Sequence, residues 1–314
     1  MFDLEQNPIT TKEEWLKEIA AIKDELKNSP EITDEKAAIE LVKKSILTAF
    51  KKRIPSEKLG ILFSGGVDST LLAFLAKKLG ADFRCYVSVL DYSAASDTGT
   101  DAHDLERAIS AAQELGLDLK VVKTSLSELE KILPEVIKTI GRADPVHVGI
   151  AAALWQGIAE IKKDDIKYFM TGLGTEQIYA GGEKYRKIPR EKINDLCWEQ
   201  LGEIAWNGDI LRDLALAKHF GLKMLVPFFS HETIQAAMSV AGELKFNPAS
   251  LDVENPGAYQ KYISRKVAED LGLPEELAWR RNRPTQYGSK FDKGLERLTK
   301  QNGFKFKKEY LASL

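Results

Sequence analysis

The chain has 314 residues, of which 44% are hydrophobic and 29% are charged, a composition typical of globular proteins rather than of disordered or fibrous ones. Its 45 lysines and arginines are balanced by 47 aspartates and glutamates, which excludes the overall positive charge of a protein that coats nucleic acid. The 2 cysteines are too few for a disulfide framework or a cysteine-rich metal site. Because there is no signal-peptide pattern and no run of about 18 apolar residues, the sequence predicts a cytoplasmic protein with no membrane segment.

The sequence of residues 1–55 predicts a helical N-terminal extension. Thr11 and Glu14 have the spacing of a capping box in front of Trp15, and a second helix is predicted over residues 34–53. From Leu59 onwards, short apolar runs alternate with amphipathic segments. Strands are predicted at 59–64, 83–90, 119–123 and 166–170, and helices at 69–79, 101–115 and 148–162. This alternation predicts an α/β fold with a doubly wound parallel sheet.

The second half of the chain is predicted to be mainly helical. Residues 190–240 contain a helix that starts at His231 with Ser230 as its N-cap. Residues 247–257 predict a hinge into a final helical section that includes 258–271, and the lysine-rich stretch from Lys300 predicts a solvated tail. We therefore divide the chain into a helical N-terminal extension (1–55), an α/β domain (56–245) and a C-terminal helical section packed on that domain (246–314).

The loop after the first predicted strand, SGGVDST at 64–70, has the features of a phosphate site. Its two glycines let the backbone approach anionic oxygens closely, and the N–H groups and dipole of the following helix favour negative charge. Ser64, Ser69 and Thr70 can donate hydroxyl hydrogen bonds, and Asp68 can hold Mg²⁺ against phosphates. The loop is neither a Walker A motif, because it lacks the lysine, nor a G-x-G-x-x-G fingerprint.

A structural interpretation of the same loop is a glycine turn with a serine N-cap, in which Asp68 only complements the helix dipole. The functional interpretation is favoured because the full motif SGGVDS follows a predicted strand and opens a predicted helix. A second glycine-rich loop is TGLGTEQIYAGG at 171–182. It also follows a predicted strand, and the carboxyl ends of parallel strands are where ligands bind in doubly wound sheets. The two glycine-rich loops are therefore expected to meet.

The motif SGGVDS resembles the PP-loop of the ATP pyrophosphatase superfamily, which implies an adenine nucleotide alpha hydrolase-like fold with helical N- and C-terminal additions. Three later blocks, in order, resemble the synthetase domain of asparagine synthetase over residues 35–290. They are MTGLGTEQIYAGG, similar to the family's LSGEGADE-FGG block, GLKMLVPFFSHETIQAAM, similar to GLEARVPFLDH, and KYISRKVAEDLGLPEELAWRRNRP, similar to K-x-LLRKA...LP-E-LWR-K.

The resemblance implies an ATP-dependent ligase that adenylates a carboxylate of aspartate or another small acid, releases pyrophosphate, and lets ammonia displace AMP. ATP and Mg²⁺ would be required. The pyrophosphate group would bind to Ser64, Gly65, Gly66, Val67, Asp68, Ser69 and Thr70, and the adenosine to Leu62, Val89, Thr171 and Gly172. Mg²⁺ would be held by Asp68 and Glu176. Catalytic residues would be Asp68 together with Arg281 and Arg283, with Arg280 and Lys290 as further candidate cations.

Departures from the family's pattern cluster on the acceptor side. Leu173 stands where the family has a glutamate that assists amide formation, Asn282 stands at a lysine position, and Ser230 stands at an aspartate position. Residues 1–55 are too few for the family's glutaminase domain, and Met1 is followed by Phe2 rather than by its cysteine nucleophile. The resemblance therefore implies nitrogen from free ammonia or from a separate amidotransferase partner, and the acceptor and oligomeric state stay open.

Two other functions are compatible with a PP-loop. A tRNA-base modification enzyme would adenylate a base, but its thiolating members have paired cysteines, whereas Cys85 and Cys197 lie in segments that predict buried positions. A nucleotide-binding protein without ligase activity would bind ATP and release no pyrophosphate. The 4 histidines share no metal-ligand spacing, although His147 falls in a segment that, by the resemblance, lines the substrate cleft.

Overall fold

The computed structural model describes residues 11–91, 103–246, 260–280 and 288–314. Its sheet has five parallel strands in the order β3-β2-β1-β4-β5. The strands are β1 (Leu59–Leu62), β2 (Phe83–Leu90), β3 (Leu119–Thr124), β4 (Tyr168–Met170) and β5 (Lys223–Leu225). The chain winds outward from β1 to β3, crosses back, and continues from β4 to β5 on the other side. The predicted doubly wound sheet is thus confirmed, and its ligand crevice is expected at the carboxyl ends of β1 and β4, where the winding reverses.

Helices cover both faces of the sheet. Those in the described residues are α1 (Lys12–Leu26), α2 (Glu35–Arg53), α3 (Val67–Lys78), α4 (His103–Leu115), α5 (Leu126–Ile140), α6 (Pro145–Lys163), α7 (Thr175–Ile178), α8 (Ile193–Glu199), α9 (Leu211–Phe220), α10 (His231–Ser239), α11 (Gly242–Lys245), α12 (Tyr262–Asp270), α13 (Glu275–Ala278), α14 (Phe291–Gln301) and α15 (Lys307–Ala312). Short 3₁₀ or π-helical turns occupy Glu183–Lys187, Arg190–Lys192, Gln200–Ile204, Trp206–Ile210 and Pro227–Phe229. None of the helices described is long and apolar enough to cross a lipid bilayer.

Local capping explains where several helices begin. The predicted capping box is present at α1, where the Thr11 side chain accepts from the Glu14 N–H and the Glu14 carboxylate accepts from the Thr11 N–H. Ser230 caps α10 as predicted. Helix α5 is not predicted from the sequence. It starts with a capping box of its own, but Pro134 lies inside it, and proline normally signals a helix end.

One hydrophobic core runs from Trp15 in α1 to Leu311 in α15. The fully buried Trp15 donates from its Nε1 to the Leu201 carbonyl at 2.7 Å, which ties α1 to the segment before α9. The expectation of a solvated C-terminal tail is wrong. Tyr310 and Leu311 are only 2% and 1% exposed, because α15 packs its apolar face on α14, while Lys308 stays exposed and Lys307 pairs with Asp292 of α14. The division into three sequence units stays a prediction.

Candidate functional site

A cavity of about 450 Å³ opens at the carboxyl ends of β1 and β4, where the topology predicts a ligand site. One wall is the face of α6 that carries Val146, Ile150, Ala153 and Leu154. Its other lining residues come from five places, namely β1 and the loop after it (Leu62, Phe63, Ser64, Gly66, Asp68, Ser69), β2 (Tyr86, Val87, Ser88), Arg107 in α4, residues 171–177 after β4, and the segment with Asp209, Arg212 and Asp213.

The loop after β1 is held in a conformation that presents a helix N-terminus to the cavity. Gly65 has φ of 70°, and a Cβ there would lie 2.5 Å from the backbone of Arg107, so only glycine fits. The Ser69 hydroxyl contacts both the Ser64 hydroxyl and the Ser64 N–H at 3.2 Å and so closes the loop on itself. Gly66, the N-cap of α3, supplies no side-chain cap. The first N–H groups of α3 therefore remain available for an anionic ligand.

An ion pair stands at the start of α3. The Nζ of Lys261 donates to Asp68 Oδ2 at 2.6 Å and to Thr175 Oγ1 at 3.2 Å, and lies 3.8 Å from Glu176 Oε1. The Lys261 side chain is 0% exposed and that of Asp68 is 19% exposed. Asp68 Oδ1 is enclosed and has no hydrogen-bond partner among the described residues. A buried carboxylate oxygen left open beside a phosphate-type loop fits a hard cation such as Mg²⁺.

Two glycines let the loops after β1 and β4 approach each other. A Cβ on Gly172 would lie 2.8 Å from the Cβ of Asp68, and a Cβ on Gly181 would lie 2.2 Å from Lys261 Cε and 2.9 Å from Glu176 Cα. Real Cβ contacts do not reach such distances, so a side chain at either position would displace the ion pair. The two glycine-rich loops of the sequence therefore meet at this pair.

The structure gathers most of the predicted ligand-binding residues around this cavity. Ser64, Gly66, Asp68, Ser69, Leu62, Thr171, Gly172 and Glu176 line it. Gly65, Val67 and Thr70 do not, since Gly65 is covered by α4 and the other two side chains are buried in the fold. Val89 is also buried away from the cavity, and its strand neighbour Ser88 lines it instead. The binding roles of all these residues remain predictions.

The predicted catalytic arginines, Arg281 and Arg283, lie outside the described residues, as does Asn282. Arg280 is described, but it does not line the cavity. Its guanidinium donates to the Arg107 carbonyl at 3.0 Å and to the Ser110 hydroxyl at 2.9 Å, which anchors α4. Among the described residues, Lys261 is a cation that contacts Asp68, and the sequence predicts no role for it. The available signal was its place as the first residue of the KYISRKVAED block.

At the other end of the cavity, one arginine is shared by two aspartates. Arg212 donates from Nε to Asp213 Oδ1 at 2.7 Å and from Nη1 to Asp209 Oδ1 at 2.9 Å. Asp209 Oδ2 in turn accepts from Gln177 Nε2 at 2.9 Å. Burial raises the pKa of Asp213 although Arg212 lowers it. We call Asp209, Arg212 and Asp213 the buried triad after its last two members, which are each 4% exposed, whereas Asp209 is 34% exposed.

Helix α6 shows how far apart the two ends are. A Cβ on Gly157 would touch the side chains of Leu62 and Ser88 at 2.6 and 3.0 Å, whereas His147 lies beside Gly208, next to the buried triad. At a rise of about 1.5 Å per residue, the ten residues between these positions span about 15 Å. Burial lowers the pKa of His147, and the charges of Arg142 and Arg212 lower it further.

Both cysteines are buried. Burial raises the pKa of the Cys85 thiol, which disfavours a reactive thiolate.

In the part of the chain that the structure describes, no group of three or more histidine, cysteine, aspartate or glutamate side chains could hold a metal by itself. A cation at Asp68 and Glu176 would therefore need further oxygen ligands from a bound phosphate or water.

The sequence pattern of the asparagine synthase family matches residues 41–206 and 190–303 of the chain. The chain belongs to the asparagine synthase family. The predicted resemblance is thereby confirmed. Relatives in this family include the putative glutamine-hydrolysing asparagine synthetase 1 of Methanocaldococcus jannaschii, 26% identical over 298 residues, covering 86% of this chain and 53% of the relative. The human glutamine-hydrolysing asparagine synthetase is 26% identical over 281 residues, covering 87% of this chain and 47% of the human protein.

The chain thus spans about half the length of these asparagine synthetase relatives. Among solved structures, an NH3-dependent NAD synthetase from Campylobacter jejuni matches with a TM-score of 0.37 and 17% identity, covering 86% of each chain. A U34-tRNA thiolase from Methanococcus maripaludis matches with a TM-score of 0.36 and 12% identity, covering 88% of this chain and 77% of the thiolase.

Proposed function

We propose that the chain is an ATP-dependent ligase that forms AMP and pyrophosphate while it joins ammonia to a small carboxylic acid. Membership of the asparagine synthase family supports a ligase that uses ATP. The observation that carries the proposal is the Lys261–Asp68 pair beside the uncapped N-terminus of α3, with the Asp68 Oδ1 open. These groups can bind a triphosphate and neutralise the charge of its leaving group.

The first step is adenylation. A carboxylate oxygen of the acceptor attacks the α-phosphorus of ATP, the bond between that phosphorus and the oxygen bridging to the β-phosphorus breaks, and pyrophosphate leaves with the bonding electrons. The N–H groups of α3 and the hydroxyls of Ser64 and Ser69 hold the β- and γ-phosphates. Lys261 neutralises the developing charge from a fully buried position. When bound to Asp68 and Glu176, Mg²⁺ would supply further charge neutralisation at the phosphates.

The second step is amide formation. The nitrogen of ammonia attacks the acyl carbon of the adenylate, the bond from that carbon to the phosphate oxygen breaks, AMP leaves, and the new amide nitrogen loses a proton. Leu173, which lines the cavity where the family has a glutamate, cannot accept that proton. We infer that it passes to the departing AMP phosphate or to water. The ammonia is free or comes from a separate amidotransferase.

The experiment that tests this function is a product analysis. The purified chain is incubated with Mg-ATP, ammonium and each of a set of amino acids and small carboxylic acids, and AMP, pyrophosphate, ADP and phosphate are measured. We expect AMP and pyrophosphate in equal amounts with at least one acceptor. Formation of ADP and phosphate would contradict the proposal. Binding of ATP without AMP formation from any acceptor would also contradict it and would indicate a nucleotide-binding protein without ligase activity.

A further inference from the structure

Arg107 is a cation of the cavity for which the sequence predicts no role. It belongs to α4, is partly exposed, and lines the cavity together with Ser64 and Gly66 of the loop after β1. The other arginine that lines the cavity among the described residues is Arg212, whose guanidinium is held by the two aspartates of the buried triad. Arg107 therefore has a different position and a different task in this cavity.

The backbone of α4 lies directly against the loop after β1. A Cβ on Gly65 would come within 2.5 Å of the Arg107 carbonyl carbon, so the Arg107 side chain begins beside this loop. Arg280 holds α4 in that place, because its guanidinium donates to the Arg107 carbonyl at 3.0 Å and to the Ser110 hydroxyl at 2.9 Å, one helical turn further on. Both acceptors remain when the Arg107 side chain is substituted.

Arg107 and Lys261 approach the loop after β1 from opposite flanks. In the sheet, β1 lies between β2 and β4. Helix α4, which carries Arg107, follows β2, whereas Thr175 and Glu176, which lie beside the Lys261 ammonium, follow β4. A phosphate group bound to the first N–H groups of α3 would therefore have one cation on each side.

The charges around Asp68 favour a second cation at this end of the cavity. Lys261 faces two carboxylates, those of Asp68 and Glu176, so one positive charge stands against two negative charges before any phosphate binds. Mg²⁺ would offset part of the negative charge, and Arg107 can offset more, since a guanidinium binds two phosphate oxygens at once. Burial lowers the pKa of Arg265 to about 10, and both Asp68, which raises it, and Arg107, which lowers it, act on that pKa. Arg107 is thus within electrostatic range of the same region as Asp68.

We propose that Arg107 is a phosphate-binding residue whose guanidinium holds the β- and γ-phosphates of ATP from the side opposite to Lys261. This inference rests on the proposed function for the presence of ATP in the cavity. It places the leaving pyrophosphate between two cations at one end of the cavity. The acceptor then binds at the other end, where the buried triad lies about 15 Å away along α6.

Ligands with different phosphate groups test this role. Isothermal titration compares wild type with Arg107→Gln for AMP, for inorganic pyrophosphate, and for an ATP analogue in which a methylene group replaces the oxygen between the α- and β-phosphates, all with Mg²⁺. We expect the dissociation constants of the analogue and of pyrophosphate to rise at least tenfold in the variant. That of AMP should change less than twofold, because AMP lacks both terminal phosphates. An equal loss for AMP and the analogue, or no loss for the analogue, would overturn the inference.

Two further variants test whether the effect belongs to a direct contact. Arg297→Gln removes the same charge from a partly exposed arginine of α14 that does not line the cavity, and we expect unchanged affinities. A loss equal to that of Arg107→Gln would indicate an effect of overall charge and would contradict the inference. Arg107→Lys keeps the charge but not the planar fork, so the analogue should bind at least threefold more weakly while AMP binds as to wild type. If Arg107→Gln does not fold, this threefold criterion decides.

Failure of this inference can be told apart from failure of the proposed function. The analogue is titrated into wild type first. If it binds to wild type and equally well to Arg107→Gln, only the role of Arg107 fails. If it does not bind to wild type, the proposed function fails, and the pyrophosphate titration alone then decides about Arg107 by the same tenfold criterion. In that case, absence of pyrophosphate binding to wild type would overturn the inference as well.

Discussion

Lys261 and Asp68 are separated by 193 residues in the chain, and their side chains meet at 2.6 Å. The contact joins the start of α12 to the start of α3, so the two halves of the sequence contribute one charge each to the same point. Both groups are largely withdrawn from water, where an interaction between charges is stronger and an unpaired charge is costly. The effects of substituting either residue should therefore be large and specific.

Replacing Asp68 with alanine should abolish turnover. The variant removes the open oxygen proposed to hold Mg²⁺ as well as the partner of Lys261, and we expect pyrophosphate release to fall by about 10²–10³-fold or more. Circular dichroism should show a retained fold. The matched control is Asp82→Ala, since Asp82 is 70% exposed and pairs only distantly with Lys58. An active Asp68→Ala enzyme would show that the metal site is wrongly placed.

Replacing Lys261 with methionine should lower kcat rather than the affinity for the acceptor. The variant keeps the length of the side chain and removes the charge that neutralises the leaving pyrophosphate, so kcat should fall by about 100-fold or more. Lys266→Met is the control on the same helix, because Lys266 pairs with Glu269 and lies over the Trp279 ring instead. Wild-type kcat in Lys261→Met would assign the catalytic charge to another residue.

Gly181→Ala should damage the site through a single methyl group. Its Cβ would need the space of Lys261 Cε, 2.2 Å away, and of the Glu176 backbone. Overpacking of this kind costs about 1–3 kcal/mol in the free energy of unfolding, and the displaced lysine should reduce kcat at least tenfold. Gly182→Ala is the adjacent control, since its Cβ would make only ordinary contacts of 3.5 Å or more. Equal behaviour of the two variants in urea unfolding and turnover would contradict the steric argument.

The docking of α1 on α10 should depend on pH through His231. Its Nδ1 lies 2.7 Å from Glu18 Oε1 and its Nε2 lies 3.1 Å from Glu25 Oε2. Burial lowers the pKa of His231, but the hydrogen bonds and charges of the two glutamates outweigh it and raise the pKa above its ordinary 6.5. The stabilisation is therefore complete below that ordinary value and is lost as the pH rises through the raised one.

Urea unfolding of wild type and His231→Gln at several pH values measures this effect. The difference in free energy of unfolding should be largest below pH 6.5 and shrink at higher pH, with a maximum of about 1 kcal/mol because the three side chains are partly exposed. The Glu18→Gln/Glu25→Gln double variant should remove the pH dependence. A difference that grows with pH would reverse the assigned sign.

Neither cysteine should be needed for activity. Cys85 and Cys197 are both buried, and a carboxylate ligase requires no thiolate. We expect the Cys85→Ala/Cys197→Ala double variant to keep the AMP-forming turnover of the wild type within a few-fold, after correction for any loss of folded protein. Complete loss of turnover in a folded double variant, or tRNA that copurifies and dissociates with salt, would instead favour a tRNA-modifying enzyme.

What the sequence predicts well is local. The strand that leads into SGGVDS, the turn at Gly65 and the capping box of α1 each depend on neighbouring residues, and the structure has all three. The contact of Lys261 with Asp68 could not be predicted from spacing, because the two residues lie on different helices and meet only in the folded chain. The apolar pattern of the sequence places Val89 on β2, but it cannot predict which side chain of that strand faces the cavity. In the structure that side chain is the neighbouring Ser88.

If the nucleotide and the acceptor bind at the two ends of the cavity, as proposed, both lie against one face of α6, and the rise of that helix sets the distance between them. Substitutions on that face near Gly157 should then alter the Michaelis constant for ATP, and substitutions near Val146 should alter the Michaelis constant for the acceptor. Substitutions between these positions should affect both constants. Helix α6 would then determine the spacing between the two bound substrates.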